Sequence, residues 1–320
     1  MASRYEEEDL SRIMPIPISA RDSKVGIDQF VDPEACGLPG GPISRRDIER
    51  LFPDVLAGSD IKALAAAMRQ ARAANRTILW MIGAHVLKCG LSLYLRSLMK
   101  QGFITALATT GSAVIHDLEL AFFGATSEDV ARELPQGRFG MAQETAAHFE
   151  SLCTRAAGEE QGLGEGAGAY IIAKNAPHGG FSVFAKAYER SVPATVHVAF
   201  GTDIVHQHPS FPAETAGGLT MRDFRIFTRT VRGVFDHGVA LIWGSAVVLP
   251  EVFLKGVSVA YNVGAKPEGV TTASFDMLRQ YRVGENVLAR PFPGESRRYA
   301  FTGQHEIMLP LLYLLLTSPD

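Results

Sequence analysis

The 320-residue chain is short of cysteine, of positive charge and of long apolar runs, and each shortage excludes something. Its three cysteines, Cys36, Cys89 and Cys153, are odd in number and far apart. They form neither a disulfide framework nor a Cys-x-x-Cys motif, which predicts a reducing, cytoplasmic compartment. Lysine and arginine number 31 against 34 aspartates and glutamates. That leaves no basic excess to neutralise phosphates, so a nucleic-acid partner is not expected. The most apolar stretch, Ile307 to Leu316, is too short to span a bilayer and contains Pro310. It predicts a buried terminal helix and no membrane association. The first residues carry Glu6, Glu7, Glu8 and Asp9 and lack the apolar core of an export signal. What is present is 47% hydrophobic and 20% charged, enough to bury a sizeable core.

Residues 1 to about 43 contain Pro15, Pro17, Pro33 and Pro39 and little periodicity, which predicts an arm lying over the main body. Regular structure is expected from Ser44, where Ser44-x-x-Asp47 forms a capping box with Asp47 in the place of the usual glutamate. Ser59 is expected to cap a second helix, with Ile61, Leu64 and Met68 on one face. From there the pattern alternates. Apolar runs at 77–82, 103–108, 194–200, 239–243 and 258–261 read as strands, separated by helical patterns at 91–99 and 220–236. This alternation predicts a single α/β domain over 44–320, with a parallel sheet and helices on both faces.

Ligands of open parallel sheets bind beyond the carboxyl ends of the strands. The segments expected there are 83–88, 109–117, 201–208, 244–246 and 271–276, with His305-Glu306 opening the last helix. Five of the nine histidines fall in this set, which makes it the candidate site. Thr109-Thr110-Gly111-Ser112 reads equally as a nucleotide loop or a tight turn. The glycine run Gly164-Glu165-Gly166-Ala167-Gly168 reads as the start of a small-residue helix ending near Lys174. His206 and His208, with His85, His116, Asp117 or Glu306, offer donors for a metal, but no spacing such as HExxH supports one. The row Arg222, Arg225, Arg229 and Arg232 reads as a solvated or subunit-contact helix face rather than an anion site.

The stretches Gly83-Ala84-His85-Val86-Leu87-Lys88-Cys89-Gly90 and Ala108-Thr109-Thr110-Gly111-Ser112 resemble the deoxyhypusine synthases. So, in order along the chain, do Val192-Pro193, Gly201-Thr202-Asp203, Ile242-Trp243-Gly244-Ser245-Ala246-Val247-Val248, Thr272-Ala273 and Pro310-Leu311-Leu312. The resemblance runs over roughly residues 44–316 with sparse identity. It implies a Rossmann-like NAD-binding fold assembled as a homotetramer. It also implies that Ala84, His85, Lys88, Thr109, Thr110, Gly111, Gly244, Ser245, Thr272 and Ala273 border the dinucleotide.

The departures bear on function. The family's nucleophilic lysine has no counterpart, because residues 274–301 contain no lysine. Two glutamates of its Val-Glu-Glu-Asp motif are replaced by Ile115 and His116, and its acidic polyamine-binding loop is missing. Without an amine to form the imine and carboxylates to hold a dication, deoxyhypusine synthesis is not expected. The sequence instead predicts a divergent enzyme that binds NAD and acts on a small molecule. Its acid/base groups are His85, His116 and His206, with Asp117 orienting an imidazole and Glu306 nearby. A metal-dependent or cofactor-free hydrolase or lyase, and a non-catalytic ligand-binding paralogue, are the alternatives.

Overall fold

The computed structural model describes residues 43–294 and 296–320. The N-terminal arm therefore lies outside the described residues. Chain order begins with α1 (Arg45–Glu49) and α2 (Leu56–Ala73), followed by β1 (Ile78–Ile82), α3 (His85–Lys88), α4 (Ser92–Lys100) and β2 (Ala106–Thr110). Next come α5 (Gly111–Phe123), α6 (Val130–Glu133), α7 (Gln143–Gly158), α8 (Leu163–Ala173), α9 (Val183–Glu189) and β3 (Ala194–His197). The second half runs α10 (Ala213–Val234), β4 (Val239–Trp243), α11 (Val248–Asn262), β5 (Thr271–Asp276), α12 (Tyr281–Val283), β6 (Arg297–Thr302) and α13 (His305–Thr317). No helix of the described residues is long and apolar enough to cross a membrane.

The six strands form one sheet in the order β3-β2-β1-β4-β5-β6, and every pair is parallel. The chain starts in the middle, winds outward through β2 and β3, and returns to place β4 beside β1. This is a Rossmann-like α/β fold, with its topological switch point between β1 and β4. The continuous apolar runs follow from burial on both faces. Ile78, Trp80 and Ile82 of β1 enter one core with α2, α4, α5 and α13. Leu79 and Met81 enter the other with α10 and α11. One aromatic from each of four strands stacks across the first face. The centroid spacings are 5.6 Å for Trp80–Trp243, 3.9 Å for Trp243–Phe275 and 4.6 Å for Phe275–Phe301.

The capping box at Ser44 is present, with Asp47 N–H donating to Ser44 Oγ and Ser44 N–H to Asp47 Oδ2. Other expectations are corrected. Ser59 lies inside α2, whose N-cap is Val55. Residues 258–261 belong to α11, because Val257 and Ala260 continue the buried row of Leu249 and Phe253 at helical spacing. Residues 271–276 are strand β5 rather than a ligand loop. Thr271, Thr272, Ala273 and Ser274 are small and largely polar, so no apolar run announces them, yet β4 and β6 flank them on either side. Edge strand β6 is mostly exposed and carries no apolar run either.

The outer edge of β3 is tied down by side chains of α10. Asp223 Oδ2 accepts from Val196 N–H at 2.8 Å and from Gly164 N–H, at the start of α8, at 3.0 Å. Thr220 Oγ1 bridges Val198 N–H and the Val196 carbonyl. These contacts satisfy backbone groups that would otherwise offer an open sheet edge. The glycines of α8 serve close packing. A Cβ on Gly164 would overlap the Ala194 carbonyl, and one on Gly168 the Phe184 carbonyl.

His197, on the same strand, is buried against Phe227 with its Nε2 3.2 Å from Thr195 Oγ1. Burial pushes its imidazole down to about 4 from 6.5. The folded state therefore refuses a proton that the unfolded chain takes up below pH 6.5. This contribution to stability is complete above that pH and is lost as the pH falls to about 4. Between pH 7 and pH 4 the stability of H197Q relative to wild type is expected to rise by roughly 2–3 kcal/mol. Urea midpoints at each pH measure this, and a difference that stays constant with pH overturns it.

Candidate functional site at the β1–β4 switch point

β1 and β4 end side by side, Ile82 in register with Trp243. One residue further the two loops touch: Gly83 N–H donates to the Trp243 carbonyl at 2.8 Å, and Gly244 N–H to the Phe275 carbonyl at 3.1 Å. Glycine is required at both places. A Cβ on Gly83 would overlap the Gly244 carbonyl oxygen, and Gly244 has φ +59 with His305 Nε2 2.5 Å from where its Cβ would be. His305, the first residue of α13, is fully buried, and neither ring nitrogen has a hydrogen-bond partner. It packs at 5.8 Å, edge to face, on the imidazole of His85, which is exposed at the start of α3. Burial lowers the His305 pKa, opposed by the charge of Asp276 at the end of β5, and the neighbouring His85 lowers it further. Its imidazole is therefore neutral near pH 7, with one donor and one acceptor nitrogen.

Lys88 and Cys89 complete this corner with the exposed Glu306. The Cys89 thiol is hydrogen-bonded to Glu306. Partial burial and the Glu306 charge raise its pKa, so it is a thiol rather than a thiolate. The structure thus brings together His85, Lys88, Glu306, Gly244 and His305, and adds Cys89, a residue outside the expected site. His305 is one of the five histidines that the sequence places in the candidate site, although of that pair only Glu306 carries an expected acid/base role. Ala84 is half-buried in the β1 loop, and Ser245 is buried, its Oγ accepting from Leu249 N–H at 3.4 Å.

The other expected histidines and Asp117 are engaged by other parts of the chain. Asp117 is fully buried and turned to the start of α9, where it accepts from Ser182 Oγ at 2.5 Å and Val183 N–H at 2.8 Å. Burial pushes its pKa up to about 6. It orients no histidine; it caps a helix. His116 hydrogen-bonds Thr126 Oγ1 through Nδ1 at 2.6 Å, and that hydroxyl donates to Glu119. Burial and the charge of Lys88 bring it to about 4. His206 Nδ1 accepts from the N–H groups of Gly201 and Asp203, both at 3.1 Å, with its ring between Phe200 and Phe211. It holds its own loop together, as His208 does by bonding the Gly140 carbonyl. Thr272 and Ala273 are buried in the amino half of β5, away from its carboxyl end. Among the described residues no group of three or more His, Cys, Asp or Glu is placed to hold a metal ion.

The turn after β2, which reads equally as a nucleotide loop or a tight turn, is occupied by the protein itself. Thr109 is fully buried, and a Cβ on Gly111 would overlap Asp203 Oδ2. The Asp203 carboxylate accepts from the backbone and hydroxyl of Ser112, and burial raises its pKa to about 6. An acidic group on the first turn of α5 takes the position an anion would use. Of the two crevice walls, the β1–β4 side offers the groups that would meet a dinucleotide: the exposed His85 and Lys88 and the unpartnered imidazole of His305. The Thr110–Ser112 turn does not fit a phosphate.

Comparison with known proteins agrees with this architecture. The family described as arginine dihydrolase ArgZ-like, C-terminal, Rossmann fold matches residues 62–143. Among solved structures, apo ArgZ, an arginine dihydrolase of the ornithine–ammonia cycle in cyanobacteria, is 15% identical with a TM-score of 0.50. That match covers 82% of this chain and 33% of ArgZ. AgrE in ternary complex with ornithine and NAD+ is 14% identical with a TM-score of 0.52, over 86% of this chain and 34% of AgrE. A putative deoxyhypusine synthase from Entamoeba histolytica is 9% identical with a TM-score of 0.52, over 82% of this chain and 90% of that one. No curated protein sequence matches. The chain spans about a third of the length of ArgZ and AgrE. At these identities the likeness is one of fold. The protein has the Rossmann-like α/β fold shared by deoxyhypusine synthase-like and ArgZ-like structures.

Proposed function

We propose that the chain binds NAD across the β1–β4 crevice and acts there on a small molecule, without making deoxyhypusine. The observation that carries this reading is His305, buried at the switch point with both ring nitrogens unpartnered and backed against the exposed His85. A buried polar group left unpaired costs about 1–3 kcal/mol, which a site recovers when a ligand supplies the partner. The solved AgrE complex with NAD+ and ornithine supports a dinucleotide on this fold.

NAD, when bound, supplies a hydride acceptor. The chain's residues do the rest. His85 takes and returns the substrate proton at an imidazole nitrogen, and His305 is the positioning residue that fixes the ring of His85. Lys88, exposed at the end of α3, meets a phosphate or a substrate carboxylate. Glu306 and Asp276 favour a substrate that also carries an amine, as ornithine does. The same reading carries the homotetramer implied by the resemblance.

A fluorescence titration with NADH tests the reading directly. Saturable binding below about 1 mM is expected, weakened about tenfold in K88E, since reversing one charge at a phosphate removes at least one charge-assisted hydrogen bond. No binding at millimolar NADH overturns it, and equal binding by wild type and K88E assigns Lys88 to the substrate carboxylate rather than to the phosphate.

A further inference from the structure

At the opposite, amino-terminal edge of the sheet lies a cavity of about 720 Å³, lined by Arg69, Arg72, Arg76 and Arg229 together with Asn75 and Thr77. Among the described residues no carboxylate lines it. Two of the four guanidinium groups are neutralised from outside: Arg69 by Glu49 at 3.1 Å and Arg76 by Asp236. Arg72 and Arg229 have no acidic partner among the described residues. In a chain of net charge −3, four arginines meeting in one concavity is a local feature and not a reflection of composition.

The cavity is also built. Arg72 is held with its guanidinium carbon 4.8 Å from the centroid of the Phe103 ring. A guanidinium placed over a ring face is held there by cation–π attraction. Gly233 lets α10 close on the strand end, because a Cβ there would lie 2.5 Å from Thr77 Oγ1. One turn earlier on α10, Arg229 is thereby set at the cavity. Arg225 and Arg232 flank it on the same exposed row, extending a positive potential toward the opening. The arginine row that reads as a solvated helix face in the sequence thus delivers one member to a concave site. The volume lies within the range of small-molecule sites.

We propose that this cavity is a second ligand site that binds a small phosphorylated anion, with Arg72 and Arg229 as the two unpaired forks that grip it. Planar guanidinium edges match phosphate oxygens in pairs, and the Thr77 hydroxyl and Asn75 amide add neutral donors. The site is separate from the β1–β4 crevice. It lies at the amino end of β1, and the crevice at the carboxyl end, roughly 17 Å along the strand.

Calorimetric titration of the full chain with inorganic pyrophosphate, and in parallel with ATP and citrate, tests it. One saturable site per chain is expected for pyrophosphate. A tighter ATP isotherm identifies a nucleotide as the source of the phosphates, and a weaker one a free phosphate compound. R229Q, on an exposed helix face, is expected to weaken binding at least about tenfold, and R72Q likewise. The crevice variants K88E and H305Q are expected to leave it unchanged. Three results overturn the proposal: no saturable binding at about 1 mM, citrate binding as tightly as pyrophosphate, or binding lost in K88E and kept in R229Q. The last would place the anion in the crevice. Loss of NADH binding with pyrophosphate binding intact would remove the crevice reading alone.

Discussion

Asp223→Ala is expected to lower the unfolding free energy by about 3–5 kcal/mol, because it leaves buried backbone donors without an acceptor and opens a cavity. The carboxylate is fully buried on α10 and accepts from Val196 N–H and Gly164 N–H through one oxygen. Burial pushes its pKa up to about 7, and those backbone donors pull it down. One side chain thereby joins α10, the first turn of α8 and the outer edge of the sheet. Asp223→Asn keeps a carbonyl acceptor and is expected to cost about half as much, since one hydrogen-bonding oxygen is retained. Urea unfolding of the two variants measures the difference. A loss below about 1 kcal/mol in the alanine variant would show that packing alone holds the β3 edge.

The second large effect is at Gly83. Gly83→Ala is expected to cost about 3 kcal/mol or more, at the upper end of overpacking penalties. The added methyl would overlap the Gly244 carbonyl oxygen. Neither loop can yield cheaply, because Gly83 N–H is bonded to Trp243 and Gly244 N–H to Phe275. Spreading them also disturbs His305, which rests on Gly244, and through it His85. The comparison is Gly218→Ala in α10, where a Cβ meets nothing within 4 Å. There the change is expected to be neutral or stabilising by up to about 1 kcal/mol, as alanine replaces glycine in a helix. Thermal unfolding of both variants tests the contrast. Equal midpoints would mean the two loops are not held in contact.

The sequence by itself determined the fold class. β1 and β4 announced themselves as unbroken apolar runs because both of their faces are covered. The Ser44–Asp47 box was legible because capping is local chemistry within three residues. The glycine run of α8 was legible as a helix because its glycines serve packing and no phosphate. The crevice was legible in part. The loops after β1 and β4 could be placed from strand ends alone, which found His85, Lys88 and Gly244.

Only the tertiary structure decided which polar groups are free to act. Asp117, His116 and His206 share loops and helix starts with the site in sequence, yet each is committed to a partner brought in from another part of the fold or its own turn. Asp203 closes the turn after β2 across more than ninety residues of chain, a pairing that no local pattern encodes. β5 was hidden because a small, polar strand becomes buried only when β4 and β6 flank it. His305 shows the same dependence in reverse. In the sequence it is one histidine among nine. In the fold it is the one buried without a partner on either nitrogen, because α13 carries it onto a glycine at the switch point. A side chain's hydrogen-bonding state depends on distant neighbours, and those neighbours are assembled only when the sheet closes.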